Sequence, residues 1–107
     1  LMDVVTAVSG SGPAYVFLLA EVLAAAAEQE GLDKDTAMRL ASRTVAGAGA
    51  LMLETGESAS TLRKQVTSPG GTTEAALDVL SGNGGLAPLL RHAVSAAAQR
   101  SRELGRS

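Results

Sequence analysis

An all-α fold, one domain of about five helices, is what this sequence predicts, and three observations carry it. No segment alternates apolar and polar residues with the two-residue period of a strand. Apolar residues recur at helical spacing instead: Met38, Val45 and Met52 stand seven apart, with Ala41, Ala48 and Leu51 beside them. Glycine- and proline-bearing stretches, SGSGP at 9–13, TSPGGTT at 67–73 and SGNGG at 81–85, divide alanine-rich runs into helix-sized lengths. The 107 residues, 46% apolar and 19% charged, suit a single globular domain spanning 1–107.

Residues 1–8 (LMDVVTAV) are too short and irregular to assign. SGSGP reads as a turn, with Pro13 at the first helical position, where its missing N–H costs nothing. The first helix then runs to about Glu30 and stops at Gly31. Its apolar run AYVFLLAEVLAAAA is broken by Glu21 and is shorter than the roughly 18–20 residues of a membrane span, so a buried helix is predicted. Glu21 and Glu28 leave it one narrow polar face, and such a helix is covered on most sides by its own domain or by another chain.

Asp33 or Asp35 caps the second helix, which reaches about Thr55 before Gly56. Arg39 and Arg43 mark its wet side. Gly47 and Gly49 inside it each cost roughly 1 kcal/mol relative to Ala, tolerable where another helix must approach closely. A short third helix covers about 59–66 after Ser58. The fourth starts near Thr73, runs through EAALDVL and ends at SGNGG. The fifth begins near Pro88, with Leu86, Leu89, Leu90, Ala93, Val94 and Ala97 on one side, and ends in RSRELGRS, whose arginines favour the negative end of the helix dipole.

One Phe, one Tyr and no Trp leave a core of Ala, Leu and Val under helix faces too apolar for water. Pairing with a second copy of the chain is therefore predicted. A net charge of −2, with nine scattered basic residues, gives no footprint for nucleic acid, and no membrane partner is expected. The absence of cysteine excludes disulfides and thiolate chemistry and fits a cytoplasmic location. No basic segment precedes an apolar stretch at the start, so no secretory signal is predicted, and the opening Leu1 points to removed upstream sequence.

The single histidine, His92, has no Cys, second His or spaced acidic pair to join it, so no metal site or catalytic triad is expected. Asp33 and Asp35 read as capping groups, and Glu54 and Glu57 as solvated residues at a helix end. Neither G-x-x-x-x-G-K-[ST] nor G-x-G-x-x-G is present. The stretch 67–73 stands immediately ahead of a helix, whose first N–H groups lack internal partners at the positive end of the dipole. Gly70 and Gly71 let a backbone approach a ligand, and Ser68, Thr72 and Thr73 add hydroxyls. Such parts suit a carboxylate or phosphate as well as they suit a plain turn capped by Thr72 or Thr73.

DVVTAVSGSGPAY (3–15) followed by VTSPGGTTEAALDVL (66–80) resembles the C-terminal domain of pyrroline-5-carboxylate reductases, and AGAGALML and SRELG extend the likeness over almost the whole chain. The resemblance implies an enzyme that reduces the cyclic imine 1-pyrroline-5-carboxylate to L-proline with NADPH or NADH, without a metal. It also implies a helical domain interlocked with a second subunit as a homodimer, from which higher assemblies are built. On the family's pattern Ser68, Gly71, Thr72 and Thr73 hold the substrate carboxylate, Gln65 and Val66 lie near the nicotinamide, and Thr6 faces the imine. The family commonly has a small residue where Thr72 stands, so there only the backbone N–H carries over. The family's dinucleotide-binding domain has no counterpart here, so the isolated chain is expected to be inactive. The competing expectation is a free-standing helical dimerisation module without a catalytic role.

Overall fold

The computed structural model describes residues 1–106. In chain order it contains α1 (Met2–Val5), a π-helical segment (Thr6–Gly10), α2 (Gly12–Gln29), α3 (Lys34–Thr55), α4 (Ala59–Gln65), α5 (Thr72–Leu80) and α6 (Leu86–Gly105). Among the described residues there is no strand, and the five helices from α2 to α6 match the expected number. The chain divides into two compact units, Pro13–Ala59 and a second made of Leu1–Gly12 with the segment from Ser60 onward.

In the first of these units the helix ends follow from local chemistry. α2 closes with Gly31 at φ 110°, where Leu32 N–H donates back to Ala27 O at 3.2 Å and satisfies an orphan carbonyl. Asp33, in extended geometry, caps α3 by accepting from Thr36 N–H at 3.1 Å. Hydrogen bonds from the Thr36 side chain, and then from its backbone, hold the Asp33 carboxyl below the usual carboxylate range. Gly56, at φ 66°, ends α3 in the left-handed conformation that L side chains rarely adopt.

The contact between α2 and α3 is made of alanine. Ala24, Ala37 and Ala41 are buried, with Ala27 packed against them. Where the helices part, Leu23, Leu40 and Thr44 join that cluster around an open concavity of about 250 Å3. The remaining apolar faces are left uncovered by the described residues: Phe17 is 69% exposed, Leu18 58% and Leu53 88%. The buried first helix that the sequence predicts is thus not what a single chain builds. Alanines let two helices touch at one place but have no reach to cover their neighbours' larger side chains. Outside the neighbouring backbone of α3 itself, no atom of the described residues lies within 4 Å of where a side chain would begin on Gly47 or Gly49, so the close approach they permit is not made among the described residues.

In the other unit α1 and the π-helical segment pack on α6. Ala7 is fully buried and Ala98 is 3% exposed, while Ser101 Oγ donates to Asp3 Oδ1 at 2.7 Å. The stretch 1–10, unassigned or read as the start of a turn, is helical throughout most of its length. Ser11 N–H donates to Thr6 O at 2.9 Å, one residue further back than in an α-helix. Pro13 has no N–H to give the carbonyl four residues back, and the chain answers with a wider turn rather than leaving the helix. As a result Met2–Gln29 forms a helical stretch of 28 residues with mean hydropathy 1.4, long and apolar enough to cross a membrane by length and composition, which the run 14–27 alone was not.

Candidate functional site

The loop between α4 and α5 is built by its own residues, one bond at a time. Thr67 N–H donates to Lys64 O at 3.2 Å and its hydroxyl to Arg63 O at 2.6 Å, so Thr67 ends α4 and its hydroxyl donates inward. Ser68, Pro69, Gly70 and Gly71 then form a turn closed by Gly71 N–H donating to Ser68 O at 3.0 Å. Proline second and Gly70 third, at φ 72°, are the residues a type II turn demands. α5 starts directly afterwards, with Gly71 as its N-cap at φ −89°, ψ −176° and no side-chain cap.

That start differs from the expected one. Thr72 and Thr73 lie inside the first turn of α5 and do not cap it. Glu74, three residues after the cap, reaches back and accepts from Gly70 N–H at 3.1 Å, one residue before the N–H that a capping box would use, because the Gly71 N–H is already held by Ser68 O. No side chain caps the helix amides, because Gly71 has no side-chain oxygen to offer them. The N–H groups at the start of α5 therefore face outward with no capping oxygen from the N-cap side chain, at the positive end of the helix dipole. Gly71 contributes by having no side chain, since its own N–H is engaged in the turn. Ser68 and Thr72 are exposed, and Thr73 is half-buried. The arrangement can receive a small anion on backbone amides and hydroxyls. Sequence reasoning missed the Glu74–Gly70 bond, although a Glu three residues after a glycine cap is its signal.

Gln65 and Val66 are exposed at the end of α4, immediately before this loop. Thr6 is placed elsewhere in the same unit. The π-helical segment carrying it packs on α1 and α6, and Thr6 lines, with Ser11, Ala97, Arg100, Ser101 and Leu104, an open concavity of about 350 Å3. His92 is exposed, and the described residues contain no group of three His, Cys, Asp or Glu side chains able to hold a metal. With no strand among the described residues, there is no strand–turn–helix cradle for a dinucleotide.

Fold and loop together define an all-helical domain with uncovered apolar faces and an anion-receptive helix start. A family model described as pyrroline-5-carboxylate reductase dimerisation matches residues 1–104, and the chain belongs to that family. It is 50% identical over 103 residues to the pyrroline-5-carboxylate reductase of Pseudomonas aeruginosa, covering 96% of this chain and 37% of that protein. A solved pyrroline-5-carboxylate reductase from Coxiella burnetii superposes with a TM-score of 0.89 at 52% identity, covering 95% of this chain and 37% of that one. The pyrroline carboxylate reductase of Plasmodium falciparum, solved with NADP bound, gives a TM-score of 0.89 at 34% identity, covering 97% of this chain and 39% of that one. The chain thus spans little more than a third of the length of the relatives it matches. These matches do not favour a free-standing helical dimerisation module without a catalytic role.

Proposed function

We propose that this chain is the substrate-holding and subunit-pairing part of a cytoplasmic, NAD(P)H-dependent pyrroline-5-carboxylate reductase that forms L-proline from 1-pyrroline-5-carboxylate. The observation that carries the reading is the start of α5, where a glycine cap leaves helix amides open beside Ser68 and Thr73. The substrate carboxylate accepts hydrogen bonds from the Ser68 and Thr73 hydroxyls and the Thr72 and Thr73 N–H groups. Anchored there, the imine ring has its C=N carbon held in one orientation, and fixed geometry of that kind lowers a barrier by several kcal/mol. NADPH or NADH, when bound, supplies the hydride. Gln65 and Val66 border the nicotinamide, and a dinucleotide-binding domain outside this chain holds the rest, so residues 1–107 alone do not turn over. Thr6, directly or through a water it orients, faces the imine nitrogen, which takes a proton as its carbon is reduced.

On this reading the apolar faces of α2 and α3 are covered by a second copy rather than by lipid. Both parts of the proposal are tested on the full-length reductase. Replacing Ser68→Ala together with Thr73→Ala is expected to raise KM for the imine about a hundredfold, two hydrogen bonds to a charged group at about 1.5 kcal/mol each. The same protein should sediment as a dimer without detergent. An unchanged KM removes the anchor, and a monomer at micromolar concentration removes the pairing.

A further inference from the structure

We propose that Ser101 and Asp3 form a positioning pair for Thr6, a role that rests on the reading of Thr6 given above. Asp3 precedes Thr6 by three residues and Ala7 by four, so all three share one side of the helical stretch. Ala7 is fully buried, and on α6 Ala98 is 3% exposed one turn before Ser101. Ser101 Oγ donates to Asp3 Oδ1 at 2.7 Å across 98 residues of sequence, in a part-buried position. A hydroxyl donating to a carboxylate is among the stronger hydrogen bonds available to side chains.

The bond matters because of the backbone it holds. π-turns are rare, and the one at Thr6–Gly10 depends on what packs against it. If α1 were released from α6, the wide turn could relax to an ordinary α-helical one. Loss of that one extra residue would swing Thr6 about 100° around the helix axis. Thr6 is exposed on its concavity, so the direction of its side chain follows the turn that carries it. Ser101 lines the same concavity, which places the clamp beside the group it positions.

The test uses the full-length reductase. Ser101→Ala should lower kcat roughly ten- to a hundredfold with KM for the imine changed less than about twofold, because the carboxylate anchor sits on other elements. Ser101→Thr keeps the hydroxyl and should restore kcat. Thr6→Val sets the scale, and adding Ser101→Ala to it should produce no further loss. A normal kcat in Ser101→Ala overturns the proposal, as does additive loss in the double variant or failure of Ser101→Thr to rescue. Full kcat in Thr6→Val overturns it too, while the KM effect of Ser68→Ala with Thr73→Ala still judges the reductase reading separately. If Ser101→Ala does not fold, Asp3→Ala carries the same test and Asp3→Asn, which retains an acceptor oxygen, the same rescue.

Discussion

Two helices in this chain start in opposite ways. α3 is closed by its own sequence, because the Asp33 carboxylate accepts Thr36 N–H and puts a negative charge on the positive end of the helix. α5 starts on Gly71, which has no side-chain oxygen to offer, behind a type II turn that uses up the Gly71 N–H. Both helices need an acceptor at that end, and only one carries it. A start that leaves its donors open costs stability, and here it sits in the stretch where hydroxyls and glycines crowd the sequence. The difference separates a structural cap from a binding cap, and substitutions can convert one into the other.

The largest effect should come from closing α5 as α3 is closed. Gly71→Asp would supply the missing capping oxygen to the helix amides and fill the anion site with the protein's own carboxylate. The expected outcome in the full-length reductase is a melting temperature that holds or rises while KM for the imine climbs by about a hundredfold or more, since two or more hydrogen bonds are lost and a like charge is added. A Cβ at this position would lie 3.1 Å from Ser68 O, so Gly71→Ala, with the same Cβ and no carboxylate, is the control for crowding. If Asp and Ala behave alike, the loop is a turn and the comparison between the two helix starts is broken.

A smaller change sharpens it. Glu74 accepts Gly70 N–H at 3.1 Å and leaves a negative charge beside the open amides. Glu74→Gln keeps an acceptor oxygen for Gly70 and removes the charge. KM for the anionic substrate should fall roughly two- to fivefold, the range of one charge near an exposed helix start, and the decrease should shrink at high salt. A rise in KM would mean that the ion, rather than the bond, keeps the turn in shape.

Much of this was legible in the sequence, and the legible parts have a common cause. Asp33, Gly31 and Gly56 bound their helices because capping and left-handed glycines are decided within a few residues. The Pro69–Gly70 pair marks its turn for the same reason. A cap at Thr72 or Thr73 is one of the two readings the sequence leaves open, because hydroxyls are common there, yet Gly71 takes that position. The π-turn at Thr6–Gly10 was only half legible: Pro13 announces a missing N–H, but whether the chain then turns away or widens by one residue depends on packing, here the burial of Ala7 against a helix some 90 residues away in sequence. The exposure of Phe17, Leu18 and Leu53 was illegible for another reason. Apolar periodicity reports that a face must be covered and is silent on which chain covers it.

The smallest effect belongs to the helix start that is already closed, and its direction is fixed by the Asp33 carboxyl. That group titrates below its ordinary value of 3.8 in the folded chain, first because of the bond with the Thr36 side chain and then because of the one with its backbone. A carboxyl depressed on folding contributes stability above its unfolded pKa, and the contribution is lost as pH falls through the lower, folded one. Asp33→Ala should therefore lower the melting temperature at neutral pH and leave KM for the imine unchanged. The gap between wild type and variant should narrow as the pH is taken below 3.8. Asp33→Asn, which can still accept from Thr36 N–H without a charge, should retain part of the stability, and its lead over Asp33→Ala should not change through that pH range. A change in KM from either variant would contradict the separation, because it would tie the closed start of α3 to the substrate that only the open start of α5 is read to hold.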